Sequence, residues 1–199
     1  MYGDAGYLYV MLYAEYLSAQ GKKVLVVDRS EEKSIQSRLP LPKESMDCLY
    51  YQGVDYLITA EKALLPYDSC LYYWGETSPG RRQEAIKQGG VRGIVITNYT
   101  RPRLDWGIEL ALKQDVLLVA EVPEAGCIKK LLRQRQIRLP EGQLIELPWR
   151  LRDAKALFAL EHGRGISFRK LSKDLRQLLR YLSEKNKEEV EIHDCSLLE

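Results

Sequence analysis

Residues 1–30, MYGDAGYLYVMLYAEYLSAQGKKVLVVDRS, carry the pattern that decides the fold. Gly3 and Gly6 bracket a tight turn, and after it Met11, Ala14 and Leu17 recur at spacing three, with Val10 and Tyr13 beside them. That periodicity predicts a helix with one apolar face. Gly21 stops it, because glycine takes the left-handed backbone of a helix terminus without a Cβ penalty. Val24 to Val27 is an unbroken apolar run closed by Asp28, which predicts a strand buried on both faces with an acid at its carboxyl end. In open α/β sheets that edge is where ligands bind.

Working outward, further strands are predicted at Val54 to Thr59, Cys70 to Trp74, Gly93 to Thr97, Val116 to Glu121 and Leu144 to Leu147. Helices are predicted between and after them, at Arg81 to Gln88, Leu104 to Lys113, Ala125 to Gln136, Arg152 to Glu161 and Ser167 to Lys185. Strands alternating with helices imply α/β architecture, a mainly parallel sheet covered by helices on both faces. The continuous branched apolar composition of the Val24 and Ile94 strands places both near the sheet centre. Residues 1–185 read as one domain, and 186–199 as a polar, frayed tail.

The residues Gly3-Asp4-Ala5-Gly6, the helix after them and Gly21-Lys22-Lys23-Val24-Leu25-Val26-Val27-Asp28 resemble the MinD/ParA family of deviant P-loop ATPases. The family motif reads Lys-Gly-Gly-x-Gly-Lys-Thr-Thr, followed by a helix and "GKKVLLVDxD". The resemblance implies a three-layer α/β/α, P-loop NTPase-like fold, and extends with weaker similarity to about Leu182. It also implies a strand directly before the first glycine. Gly3 leaves no room for one, so that strand either lies upstream of residue 1 or is replaced by another segment.

The chemistry of that family is not kept. Tyr2 stands in place of the signature lysine, Tyr7 in place of the lysine that reaches the β- and γ-phosphates, and Leu8 in place of the hydroxyl that ligates magnesium. Asp4 replaces a glycine, and like charges about 4 Å apart repel by roughly 1 kcal/mol even in water. Losing both lysines and the hydroxyl removes most of what stabilises a phosphoryl-transfer transition state. The strand from Cys70 to Trp74 resembles the family's "YDYVIID" segment, but Tyr73 or Trp74 falls where the carboxylate belongs, and Asp68 lies at the wrong end. Glu76 is a weak substitute in the following loop, and no metal site is predicted.

Other positions match better. Asp28 corresponds to the acid that orients water and magnesium in the family, although an acid there more often caps the strand end or the next helix. Asn98 matches an asparagine whose amide bonds the adenine edge, with turn formation as the competing reading. Glu146-Leu147-Pro148-Trp149 is similar to the family's "IPxD" segment near the base. The resemblance thus implies a vestigial nucleotide site at Gly3, Gly6, Asp28, Asn98 and Pro148, with no catalytic residue, no cofactor and ATP held weakly at most. Tyr7 and Tyr9 are expected to lie over the former phosphate site and close it.

Composition narrows the class further. With 199 residues, 45% hydrophobic and 29% charged, the chain suits one soluble domain with a sizeable core. Thirty basic and 28 acidic residues leave a net charge of +2, which does not predict specific nucleic-acid binding. The basic runs at Lys129 to Arg138 and Arg164 to Arg180 read as solvated helix faces. The four cysteines are scattered without a CxxC, so neither zinc nor a disulfide framework is indicated. His162 sits at a helix end, where a cation suits the dipole. No apolar run approaches the roughly 18 residues that span a bilayer, and no secretion signal is read, so the expected location is the cytoplasm.

Within the family, members without phosphate chemistry resemble the CpaE/TadZ branch. This implies a non-catalytic assembly or localisation factor for a pilus or secretion machine, acting through protein partners, with pairing to a second copy and membrane contact only through partners. The alternative is an ATP-binding switch or slow ATPase with unusual residues. An enzyme of unrelated chemistry on a reused fold is a third class, but no set of acid, base and nucleophile positions converges in the sequence.

Overall fold

The computed structural model describes residues 6–40, 47–58, 66–75, 93–113 and 116–195. Gly3, the Arg81 to Gln88 helix, Glu76 and residues 196–199 lie outside the described residues.

The elements run α1 (Gly6–Ser18), β1 (Val24–Asp28), β2 (Cys48–Tyr51), β3 (Val54–Leu57), β4 (Ser69–Tyr73), β5 (Gly93–Asn98), α2 (Arg101–Lys113), β6 (Val116–Val122), α3 (Cys127–Gln134), β7 (Leu144–Pro148), α4 (Leu151–Glu161) and α5 (Lys173–Cys195). Single 3-10 turns occur at Gln36–Arg38 and Phe168–Lys170. The chain is α/β, and its described strands form two sheets, ordered β2-β3-β1-β4 and β5-β6-β7. Every described pairing is parallel except β2 with β3.

Helices cover both faces of the β5-β6-β7 sheet, and among the described residues they cover one face of the β2-β3-β1-β4 sheet, whose other face gathers Leu25, Val27 and Leu57 with Cys48 and Tyr67. One core joins α1, α4 and α5 to Val24 and Val26 of β1, Tyr56 of β3, Tyr73 of β4, and Leu117 and Val119 of β6. On the opposite face, Leu104, Ile108 and Ala111 of α2 and Ile128 and Leu132 of α3 pack on Val95, Leu118 and Ala120. Alternate residues of β6 thus enter opposite cores, as the two-residue strand period requires. Roofing both sheets with one helix is the work of α1, in which Leu12, Ala14 and Leu17 are fully buried.

Three expectations are corrected. β1 is interior, between β3 and β4, but β5 is the outer strand of its described sheet, and Ile94 is 40% exposed. Its apolar run reflects helix contact on both faces, Val95 with the α2 core and Ile96 with the α1 core, and does not report how many strands flank it. The predicted single sheet is two among the described residues. Third, β2 forms a hairpin with β3 that hydrophobic runs did not reveal, because its residues are only half-buried and its turn has no Asn-Gly signature. Gln52 at φ 50° and Gly53 at φ 83° nevertheless supply the two left-handed positions of a tight hairpin turn.

Element ends shift for local reasons. α5 starts at Lys173, not Ser167, because the Ser172 hydroxyl accepts the Leu175 N–H at 3.1 Å and caps it. The polar residues from Glu188 continue this helix to Cys195.

Candidate functional site

The carboxyl ends of β1, β4, β5 and β6 and the amino end of α1 meet at one edge, where sequence reading puts the vestigial site. α1 begins at Gly6, and its first turn points Tyr7 and Tyr9 inward, 5% and 7% exposed. The Tyr7 hydroxyl donates to Glu161 Oε1 at 2.6 Å, and Arg38 Nε donates to the same oxygen at 3.1 Å. The Arg38 guanidinium lies 4.2 Å from the Tyr7 ring centroid, and the Tyr73 ring meets Tyr7 edge-on at 6.4 Å. Two residues on, the Tyr9 hydroxyl donates to Glu121 at the end of β6.

These contacts set the electrostatics. Burial, then the bond to Glu161, push the Tyr7 hydroxyl up to about 12. Burial works against the Glu161 charge, but the bonds from Tyr7 and Arg38 outweigh it and hold the carboxyl below its usual range. Burial and the Glu121 charge raise Tyr9 well above the ordinary phenol range, and burial raises Glu121. Asp153, also buried, adds to the negative field on Tyr9; its Oδ1 accepts the Ser172 N–H at 2.7 Å, while Oδ2 has no partner. Carboxylates, neutral phenols and one guanidinium, Arg38, already paired with Glu161, therefore line this edge. A polyphosphate would meet like charge there.

Asp28 is committed to its own loop. Its Oδ1 accepts from the Ser30 N–H at 2.9 Å and the Ser30 hydroxyl at 2.5 Å, and its Oδ2 accepts from the Ile35 and Gln36 N–H groups at 2.9 and 3.3 Å. A carboxylate has about four acceptor sites, so these bonds use its capacity. Lys33 Nζ adds a bond to the Asp28 carbonyl at 3.0 Å. The arrangement holds residues 29–38 against the sheet and places Arg38 on Tyr7 and Glu161.

Asn98 forms the turn into α2. Its Oδ1 accepts the Thr100 N–H at 3.0 Å and the Thr100 hydroxyl at 2.5 Å. Pro148 ends β7 opposite Val122, and the following Trp149 N–H bonds the Val122 carbonyl at 2.7 Å. Proline suits that position because it lies at the end of a strand with a neighbour on one side. Gly6 opens α1, so Gly6, Asp28, Asn98 and Pro148 all fall at carboxyl strand ends or the facing helix start.

Sequence reasoning did not single out Arg38, Glu121 or Glu161. For Glu121 a signal existed: it closes the apolar run from Val116 to Ala120 as Asp28 closes β1. Arg38 and Glu161 are 123 positions apart, and nothing local joins them. His162 lies at the α4 terminus, its ring 4.2 Å from that of Phe158. Among the described residues no group of three or more His, Cys, Asp or Glu could hold a metal ion, and no helix is long and apolar enough to cross a membrane. Compared with known proteins, the chain matches no family model and no curated protein sequence.

Proposed function

We propose that this chain is a MinD/ParA-like scaffold without phosphate chemistry, acting as an assembly or localisation factor for a pilus or secretion machine through protein contacts. The observation that carries the non-catalytic part is the use of its edge groups on one another: Tyr7 and Arg38 on Glu161, Tyr9 on Glu121, and Asp28 on four donors of its own loop. An ATPase site needs such groups free to meet substrate, water and magnesium. The P-loop reading of the fold and the choice of machine rest on the sequence resemblance. The parallel pairing of β1 with β3 and β4, and the helices on both faces of the β5-β6-β7 sheet, support the first.

Nucleotide titration tests the reading. Ligand at about 100 times its dissociation constant adds roughly 2.7 kcal/mol of stability, a readily measured thermal shift. Millimolar ATP with magnesium is expected to give no saturable shift and no turnover above background. A saturable shift, or magnesium-dependent turnover above background, would put the ATP-driven switch in place of the scaffold. In cells, deleting the gene should impair assembly of a surface pilus or secretion machine, and normal assembly would remove the proposed role.

A further inference from the structure

α4 is apolar on two sides, and the fold uses only one of them. Ala156, Leu157 and Leu160 turn inward and pack on the core beneath α1. On the other side Leu151 and Phe158 stand 59% and 61% exposed, and Trp149, just ahead of the helix, 46%. A surface helix needs a single apolar stripe to hold its place, so the outer one is surplus to folding. Isolated exposed apolar side chains are ordinary, but these are three of the eight large ones exposed among the described residues, all between positions 149 and 158.

Their spacing is that of a helix-pairing seam. Leu151, Lys155, Phe158 and His162 follow one another at intervals of four, three and four, the alternation that keeps one stripe turned to a neighbouring helix, and all four are exposed. Half-buried Ala154 and Ala159 flank the stripe, and such small side chains let a second helix come close. The unpaired charge here is positive. Arg152, Lys155 and Arg164 are exposed and make no ion pair among the described residues, while Arg150 at the rim is paired with Asp174 at 3.7 Å. The two acids of α4 are engaged elsewhere, Asp153 on Ser172 and Glu161 on Tyr7 and Arg38. A second copy of the chain would therefore set these cations against their own kind. A helix lying in a bilayer surface keeps charged and apolar residues on opposite faces, whereas Lys155 stands inside the stripe, between Leu151 and Phe158.

We infer that the outer face of α4 docks an acidic amphipathic helix of another protein. That helix sets apolar side chains against Leu151, Phe158 and Trp149 and a carboxylate opposite Lys155, whose single charge in the seam fixes the register. The 11 residues of α4 offer a contact about 16 Å long, which suits a reversible partner. The inference goes beyond the proposed role, and it holds whichever machine the chain serves and independently of the P-loop resemblance.

The probe is a labelled synthetic peptide of about 18 residues, with leucine along a heptad seam, one glutamate within the seam and glutamates beside it. Titrated against the purified chain by fluorescence anisotropy, it should bind saturably, and Phe158→Ser and Lys155→Glu should each weaken it at least about tenfold. Both side chains are exposed, so the denaturation midpoints of these variants should stay unchanged. Exchanging the seam glutamate of the peptide for lysine should recover binding to Lys155→Glu, which general stickiness would not do. No saturable binding, equal binding of a peptide with lysine in place of every glutamate, or variants that bind like the parent chain would overturn the inference. So would a face given to another occupant: phosphatidylglycerol vesicles that bind the chain but not Phe158→Ser, or a dimer in sedimentation that Phe158→Ser dissociates. In the source cells, Phe158→p-benzoylphenylalanine should cross-link on illumination to an acidic helical segment of another protein, and cross-links to lipid or to a second copy alone would overturn the inference as well.

Discussion

Glu15 is buried on α1 at 8% exposure, and neither its Oε1 nor the hydroxyl of Tyr56 has a hydrogen-bond partner. Burial raises the Glu15 carboxyl from 4.5 to about 7, so the folded chain favours its protonated form. The sign follows from linkage: stability is fully present below the unfolded value, falls between about pH 4.5 and about 7, and is level above that. Glu15→Gln should remove most of this slope and stabilise the chain at pH 8 by up to about 3 kcal/mol, measured by urea denaturation across pH. Equal slopes in both proteins would place the burden elsewhere. Asp28 differs in its partners, since four donors of its own loop satisfy its two oxygens. Asp28→Ala should cost about 3 kcal/mol or more, by leaving the Ile35 and Gln36 N–H groups without their acceptor. An unchanged denaturation midpoint would return Asp28 to the list of free edge acids.

Among the elements, the β2–β3 hairpin depends most on a single backbone position. Gly53 has φ 83°, and a Cβ there would lie 2.5 Å from Ser18 Oγ, which itself donates to the Gly53 carbonyl at 2.7 Å. Gly53→Ala should destabilise by about 2 kcal/mol through left-handed strain and the displaced bond to α1. Ser18→Ala should lose only about 1 kcal/mol, because the strain is absent. Thermal denaturation of the two variants checks the order, and a larger loss for Ser18→Ala would refute it.

Across the molecule, stability of the two sheets is shared because one core runs beneath α1 from Val24 and Tyr56 to Leu117 and Leu147. Leu12, fully buried in that core, is a probe of the sharing. Leu12→Ala should cost about 2–5 kcal/mol. Trp74 and Trp149 belong to segments that follow different sheets, so fluorescence and far-UV circular dichroism should still report one coincident transition. Separated transitions would show that the sheets melt as independent units.

Much of this architecture was legible in the sequence because periodicity is a local property. The run from Val24 to Asp28, the helix of α1 and the stop at Gly21 each record the environment of one segment and stand in the structure, although α1 is buried on nearly every side and not along one stripe. The strand starts at Val54, Gly93, Val116 and Leu144 were readable for the same reason. Position within a sheet is not local, which is why β5 read as central although it is an outer described strand. The replacement of lysines by Tyr7 and its neighbours was evident from residue identity alone. The local capping role of Asp28 was the favoured reading of the sequence, and its bonds to Ser30, Ile35 and Gln36 agree with it. That Tyr7 meets Glu161 and Arg38 and that Tyr9 meets Glu121 were decided only by the tertiary structure, because those hydrogen bonds join residues whose separation in sequence carries no period.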